Sequence, residues 1–238
     1  MAISRQNARG KNIQFFIFDL DNTLLDFVTM KRESVRSALV AMSEAGLNID
    51  IESSYKQVMD IYEEGGWENQ LVFNDFLREE IGYVNYKYLA AGVMAYRKAK
   101  SDNLKAYPNV YDTLEKLTKK GIKLAIVSDA PSREAWMRIY ALGIHDVFDV
   151  VITFDDSKER KPSPAPFKLA LGKLNMSKDD VLMIGDWPER DVVGAKNMGI
   201  RTIFAKYGDH FGVKESGANW DVEDISDIIE IIDDINKE

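Results

Sequence analysis

The sequence predicts an α/β fold, a Rossmann-like parallel sheet covered by helices, with an all-helical subdomain inserted after the first strand. Three observations predict it. Short apolar runs recur with the lengths of strands buried on both faces. Amphipathic helical patterns separate these runs, as right-handed βαβ crossovers require. Between residues 29 and 100 the periodicity is helical, with no convincing strand.

The first strand is read from IQFFIF at 13–18. The inserted segment follows. Val35, Ala38, Leu39 and Met42 form one helical stripe before Gly46, and Ile51, Tyr55, Val58, Met59 and Tyr62 form a second before Gly65-Gly66. Leu71, Phe76 and Leu77 continue the pattern, and Tyr88, Val93 and Tyr96 follow Gly82. Tyr83, Tyr86, Tyr88 and Tyr96 are expected mostly in that subdomain's core. Strand–helix alternation then resumes. Val110, Leu114 and Leu117 lead to a stop at Gly121, and KLAIVS at 123–128 is the second strand. Ala135, Trp136, Ile139 and Tyr140 make the next buried stripe, closed by Gly143. FDVVITF (148–154) is a weaker strand, Phe167, Ala170, Leu171 and Leu174 a helix, VLMIG (181–185) and TIFAK (202–206) strands. Ile225, Ile228, Ile229, Ile232 and Ile235 make a last amphipathic helix. The expected organisation is an α/β core from residues 1–26 and 104–238 and a helical subdomain over 27–103.

Composition narrows the function. The chain of 238 residues carries a formal charge of −8, and residues 221–238 hold most of it, on the outer face of the last helix. There is no basic stripe to follow a nucleic-acid backbone, so a small molecule is the expected partner. No apolar stretch approaches the length of a membrane span, and the apolar run after the polar N-terminus is too short for a signal peptide; a soluble cytoplasmic protein is expected. With no cysteine, thiolate chemistry and disulfides are excluded. The first dozen residues are expected to be mobile. Either a monomer or a homodimer is compatible with the sequence.

Ligands of open parallel sheets bind beyond the carboxyl ends of the strands, so the residues that follow each strand are informative. Asp19, Asp21 and Thr23 follow the first, Ser128 and Asp129 the second, and Gly185, Asp186 and then Asp191 the fourth. Asp19, Asp21 and Asp186 would repel one another unless a cation intervened or one of them were protonated. Magnesium, which takes oxygen ligands from carboxylates, water and phosphate, resolves the conflict. Lys161, in RKPSPAP ahead of a helix, adds positive charge. With the Ser128 hydroxyl and backbone N–H groups, it suits a dianionic phosphate. Asp19 can then attack phosphorus, while Asp21 protonates the leaving oxygen and later takes a proton from water. Two carboxyls are needed because nucleophile and acid require different protonation states. Ser128 could instead cap a helix ahead of Pro131, but Asp129 could do that job and is left outside the chemistry.

DLDNT after a strand, Ser128 ending a second strand, Lys161 followed by proline, and GDWPERD at 185–191 resemble, in order, the four motifs of the haloacid dehalogenase superfamily. The resemblance spans nearly the whole chain, since the helical insertion matches the cap of one major subfamily. It implies a magnesium-dependent phosphatase that hydrolyses a small phosphorylated metabolite, a small-molecule phosphate ester, through an aspartyl-phosphate. Asp19 is then nucleophile and metal ligand, and Asp21 acid/base and donor of a backbone carbonyl to the metal. Ser128 and Lys161 bind phosphate, with Thr23 shaping the loop around it. Asp186 ligates the metal and Asp191 supports its shell. Dehalogenases of the family lack the second acid of the first motif, so Asp21 points to phosphoryl chemistry. In capped members a loop near the site selects substrate, which makes Trp67, Glu68 and Asn69 candidates beside the alternative of a plain interhelical turn. The cap would act as a lid.

Other readings stay open on sequence alone. A sugar-phosphate mutase shares fold and nucleophile. A phospho-accepting receiver-type module uses a similar aspartate, though such modules are shorter and uninterrupted. A catalytically silent binding protein is the third. His145 and His210 lack ligand spacing, and Trp187 either walls the site or simply packs.

Overall fold

The computed structural model describes residues 13–237. The expectation for the N-terminal dozen lies outside them. The chain divides into two compact units, Met1–Asp26 with Ala106–Glu238, and Phe27–Lys105.

The first unit is built on a six-stranded sheet, β1 (Phe15–Phe18), β2 (Lys123–Val127), β3 (Val150–Ile152), β4 (Val181–Gly185), β5 (Arg201–Ala205) and β6 (Trp220–Val222), in the order β3-β2-β1-β4-β5-β6. Every pairing is parallel. Successive strands step outwards from β1 on one side and from β4 on the other, so the order reverses between the two central strands. That reversal opens a crevice at their carboxyl ends. Phe18 pairs with Ile184, which brings residues far apart in sequence to the same edge.

β1 is buried along its whole length, as its uninterrupted apolar run requires. Phe15 and Ile17 point into a core shared with Ala125, Val127, Phe167, Ala170, Met183 and Ala195. Phe16 and Phe18 alternate to the opposite face, their rings 5.4 Å apart. The flanking helices are α5 (Val110–Lys119), α6 (Ser132–Ala141), the short α7 (Phe154–Ser157), α8 (Pro164–Leu174), α9 (Val193–Asn197) and α10 (Ile228–Ile235). The α8 helix starts with Ser163 accepting the Ala165 N–H at 3.2 Å and has prolines in its first turn, where a missing N–H costs nothing.

Two sequence expectations change here. Strand β6 was not foreseen: its three residues, Trp-Asp-Val, are too few for a periodic signal. The α6 helix is rotated relative to the expected stripe. Its buried face is Glu134, Ala135, Arg138 and Ile139, while Trp136 is 38% and Tyr140 63% exposed. An arginine occupies the face where an aromatic was expected, for a reason that lies in the active site.

The second unit holds α1 (Phe27–Glu44), α2 (Ile51–Gly65), α3 (Val72–Ile81) and α4 (Tyr86–Asn103) around Val35, Leu39, Met42, Val58, Tyr62, Phe73, Phe76 and Leu77. Asp50 accepts the Ser53 N–H at 2.9 Å and starts α2, and Gly82 takes the left-handed conformation that ends α3. On α4, a Cβ at Gly92 would stand 2.1 Å from the Met42 methyl, so the missing side chain admits Met42 into the helix surface. Tyr88 and Tyr96 pack on this core, but Tyr83 and Tyr86 do not: they are 59% and 77% exposed. Both lie in or beside the turn between α3 and α4, where no facing helix covers them. Among the described residues no helix is long and apolar enough to cross a membrane.

Candidate active site

The site forms where β1 and β4 end. Asp19 directly follows β1, and its N–H is held by the Ile184 carbonyl at 2.9 Å, an extra rung that keeps it in register with β4. The chain then turns sharply. Asn22 takes φ 57°, a conformation asparagine tolerates better than most residues, and its N–H closes the turn on the Leu25 carbonyl at 2.7 Å. Thr23 is fully buried and donates to Asp186 Oδ1 at 3.3 Å, so its hydroxyl braces a carboxylate in this structure. Tyr207 donates to the Thr23 carbonyl at 2.8 Å and secures the loop from β5's side.

Asp186 directly follows β4, and a π-helical turn, Pro188–Val192, then carries Asp191 back over the strand end. The Trp187 N–H donates to Asp191 Oδ2 at 3.0 Å, fixing that carboxylate. Close approach is possible because Gly185 has no side chain: a Cβ there would stand 2.3 Å from Asp191 Cγ. Gly208 does the same for the first loop, since its Cβ would fall 1.7 Å from the Asn22 carbonyl oxygen and 3.2 Å from Asp186 Cβ. Gly208→Ala is therefore expected to lower stability by about 1–3 kcal/mol through overpacking against backbone. It should also weaken binding of a divalent cation, measured by thermal melting and by magnesium or manganese titration.

Oxygens of Asp19, Asp186 and Asp191 all lie within 4.8 Å of one another. All three carboxylates are buried, and the Lys161 ammonium sits among them, bonded to Asp19 and 2.7 Å from Asp191 Oδ1. Burial pushes the Asp19 carboxyl up to about 8, opposed by Lys161 and reinforced by Asp191 and Asp21. Burial and then Asp19 push Asp186 well above its ordinary range. Burial also raises Asp191, against the pull of Lys161. Burial alone would lower Lys161, but Asp19 and Asp191 hold it above its ordinary value. Three carboxylates face one ammonium, so the ionised cluster is short of positive charge. An all-oxygen donor set with two surplus negative charges fits a hard divalent cation.

The other expected residues are placed as follows. Ser128 follows β2, is 3% exposed, and accepts the Ala130 N–H at 3.2 Å. Asp21 is near enough to Asp19 to raise it and bonds Arg138 Nη1 through Oδ2 at 2.6 Å. Trp67 stacks on Tyr62 and meets Phe27 edge-on inside the helical unit, and its carbonyl accepts from the buried Lys31 at 2.6 Å. Asn69 accepts the Leu71 N–H at 2.9 Å, ordering the turn into α3, and Glu68 lies in the same loop. Trp187 packs between Arg190, whose guanidinium is 3.6 Å from the ring centre, and Phe211.

Asp129 does not cap α6; Asp155 bonds the Ser132 N–H at 2.7 Å instead. Asp129 accepts the Lys161 N–H at 2.9 Å and pairs with Arg190 at 3.3 Å, so it links three of the four motifs. Its position beside Ser128 was the available signal. Arg138 was missed because nothing in its local pattern separates it from a solvated helix residue.

A family description of haloacid dehalogenase-like hydrolases matches residues 16–205. A glyceraldehyde 3-phosphate phosphatase of Pyrococcus abyssi is 33% identical over 227 residues, 94% of this chain and 95% of its own. A pyrophosphatase PpaX of Oceanobacillus iheyensis is 30% identical over 94% of this chain and 98% of its own. Among solved structures, a putative beta-phosphoglucomutase from Thermotoga maritima superposes with a TM-score of 0.73 at 26% identity, over 92% of this chain and 99% of its own. Matched along most of its length by the family and along nearly all of it by these relatives, the chain belongs to the haloacid dehalogenase-like hydrolases.

Proposed function

We propose that this phosphatase of small phosphorylated metabolites works through an aspartyl-phosphate on Asp19, with magnesium as its cofactor. The observation that carries the reading is the buried Asp19–Asp186–Asp191 cluster wrapped around Lys161 at the ends of two central strands. Side chains of Asp19 and Asp186, with the Asp21 carbonyl, would hold the cation, and Asp191 would support them. Bound there, magnesium would offset carboxylate charge and the charge on the phosphoryl oxygens.

The protein's own groups then divide the work. Lys161 and the Ser128 hydroxyl bind and orient the phosphoryl oxygens. An Asp19 carboxylate oxygen bonds phosphorus as the bond to the leaving alcohol breaks, and Asp21 gives that oxygen its proton. Asp21 next takes a proton from a water molecule that attacks phosphorus, releasing inorganic phosphate and restoring Asp19. Trp67, Glu68 and Asn69 remain candidates for substrate choice. The relatives' named substrates, glyceraldehyde 3-phosphate among them, support small anionic esters.

The test is a panel of phosphorylated metabolites, triose phosphates and pyrophosphate first, assayed with and without magnesium. Magnesium-dependent release is expected, of one phosphate per monoester consumed and of two per pyrophosphate. A sugar-phosphate mutase is the second reading, favoured by the likeness to the Thermotoga maritima structure. Isomerised sugar phosphate with little free phosphate would replace the first reading with the second.

A further inference from the structure

Arg138 is among the largest fully buried side chains of the protein, with 1% exposure. A guanidinium keeps its charge at any ordinary pH, so burying it is costly unless it is matched to a partner. The partner here is not a neighbour on its own helix face alone. Nη1 reaches across to Asp21 Oδ2, 117 positions earlier in sequence, at 2.6 Å, a charge-assisted hydrogen bond. The α6 helix turns Arg138 inward with Glu134, Ala135 and Ile139, while Trp136 and Tyr140 stay partly exposed.

We propose that Arg138 is the positioning residue of Asp21 in the phosphoryl-transfer reaction. The inference rests on the reading of Asp21 as acid and base. An Asp side chain has two rotatable bonds, and the loop that carries Asp21 bends sharply at the next residue, Asn22. Anchoring Oδ2 to a side chain locked in the core fixes both rotations. It also commits one oxygen to the guanidinium, so proton exchange with the leaving group and with water falls to Oδ1. Arg138 thereby selects which oxygen works and where it stands, and touches neither substrate nor cation itself. Because α6 follows directly on the Ser128 loop, one short segment both binds phosphate and aims the acid.

The test uses Arg138→Met, which keeps the length and apolar stem and removes the donors, and Arg138→Lys, which keeps the charge and one reach of donors. Both are assayed on an alkyl phosphate, whose leaving oxygen needs a proton, and on p-nitrophenyl phosphate, whose leaving group does not. Arg138→Met is expected to lower kcat on the alkyl ester by about 10- to 100-fold with KM nearly unchanged, and on the aryl ester by a few-fold at most. Arg138→Lys should recover part of the loss. In an Asp21→Asn background, Arg138→Met should cost less than about 2-fold more, because the group it positions is gone. Equal losses on both esters, or losses that multiply with Asp21→Asn, overturn the proposal. If Arg138→Met does not fold, the Arg138→Lys ester ratio decides alone: an unchanged ratio overturns the proposal. The two levels separate cleanly. If Asp21→Asn leaves alkyl ester turnover intact, the acid/base reading fails; if it abolishes turnover while Arg138→Met does not lower it, only the positioning role fails.

Discussion

Asp19→Asn is expected to abolish phosphate release, by about 10⁴-fold or more, since the variant amide cannot form the acyl-phosphate and removal of an enzyme nucleophile costs about 10⁶ in a well-studied hydrolase. The protein should nevertheless fold. Asn has nearly the same shape, and above about pH 8, where Asp19 is ionised, the change takes one negative charge out of a buried group that holds three carboxylates against Lys161. Relief of that repulsion acts against the lost Lys161 bond, so the melting temperature without a divalent cation should be equal to or above that of the parent chain. The measurement pairs a steady-state phosphate assay with a thermal melt. Turnover within about 10-fold of the parent would remove Asp19 from the chemistry, and an unfolded variant would show that the Lys161 pair outweighs the repulsion.

The second large effect is on stability, and it depends on pH. In the folded chain the Asp19 carboxyl is raised from 3.8 to about 8, chiefly by burial, and Asp186 and Asp191 are raised as well. Between those limits the folded state keeps protons that the unfolded state has released. Stability without a divalent cation therefore falls as pH rises from about 4 to about 8. A cation that needs the ionised carboxylates should reverse this. At a concentration near 100 times its Kd, magnesium should contribute about 2.7 kcal/mol at pH 8, or roughly 5–10 °C in Tm, and close to nothing near pH 5. Melting curves across that range, with magnesium or with a chelator, give the comparison. Chelation should remove phosphatase activity and magnesium should restore it. A Tm gain that is the same at both pH values would mean that the cation binds elsewhere.

The parts of the molecule legible in the sequence share a physical origin. β1 and β4 are buried on both faces, so their residues are apolar without interruption and the change to Asp19 and Asp186 is abrupt. Asp19 and Asp186 stand just after such changes, which is why one short run and its first polar residue locate these two. The long helices α1 to α4 each carry several turns of periodicity and were equally plain. What was hidden is set by tertiary contact. The three residues of β6 gain strand structure from pairing with β5. The α6 helix shows an aromatic stripe, yet the face that turns inward carries Arg138, whose partner Asp21 lies 117 positions away and leaves no local signal. Asp129 looks like a cap until Lys161 and Arg190 arrive from later in the chain.

The strand order also governs when the protein can become active during synthesis. Phe27–Lys105 is one continuous stretch of sequence, whereas β1 waits for both of its partners. Until Val181–Gly185 has been made, one edge of Phe15–Phe18 stays open, a hydrophobic strand able to pair with the wrong chain. Nascent chains arrested before Asp186 should therefore need chaperone protection and bind no cation, and the enzyme is born late, only once most of its length has been translated.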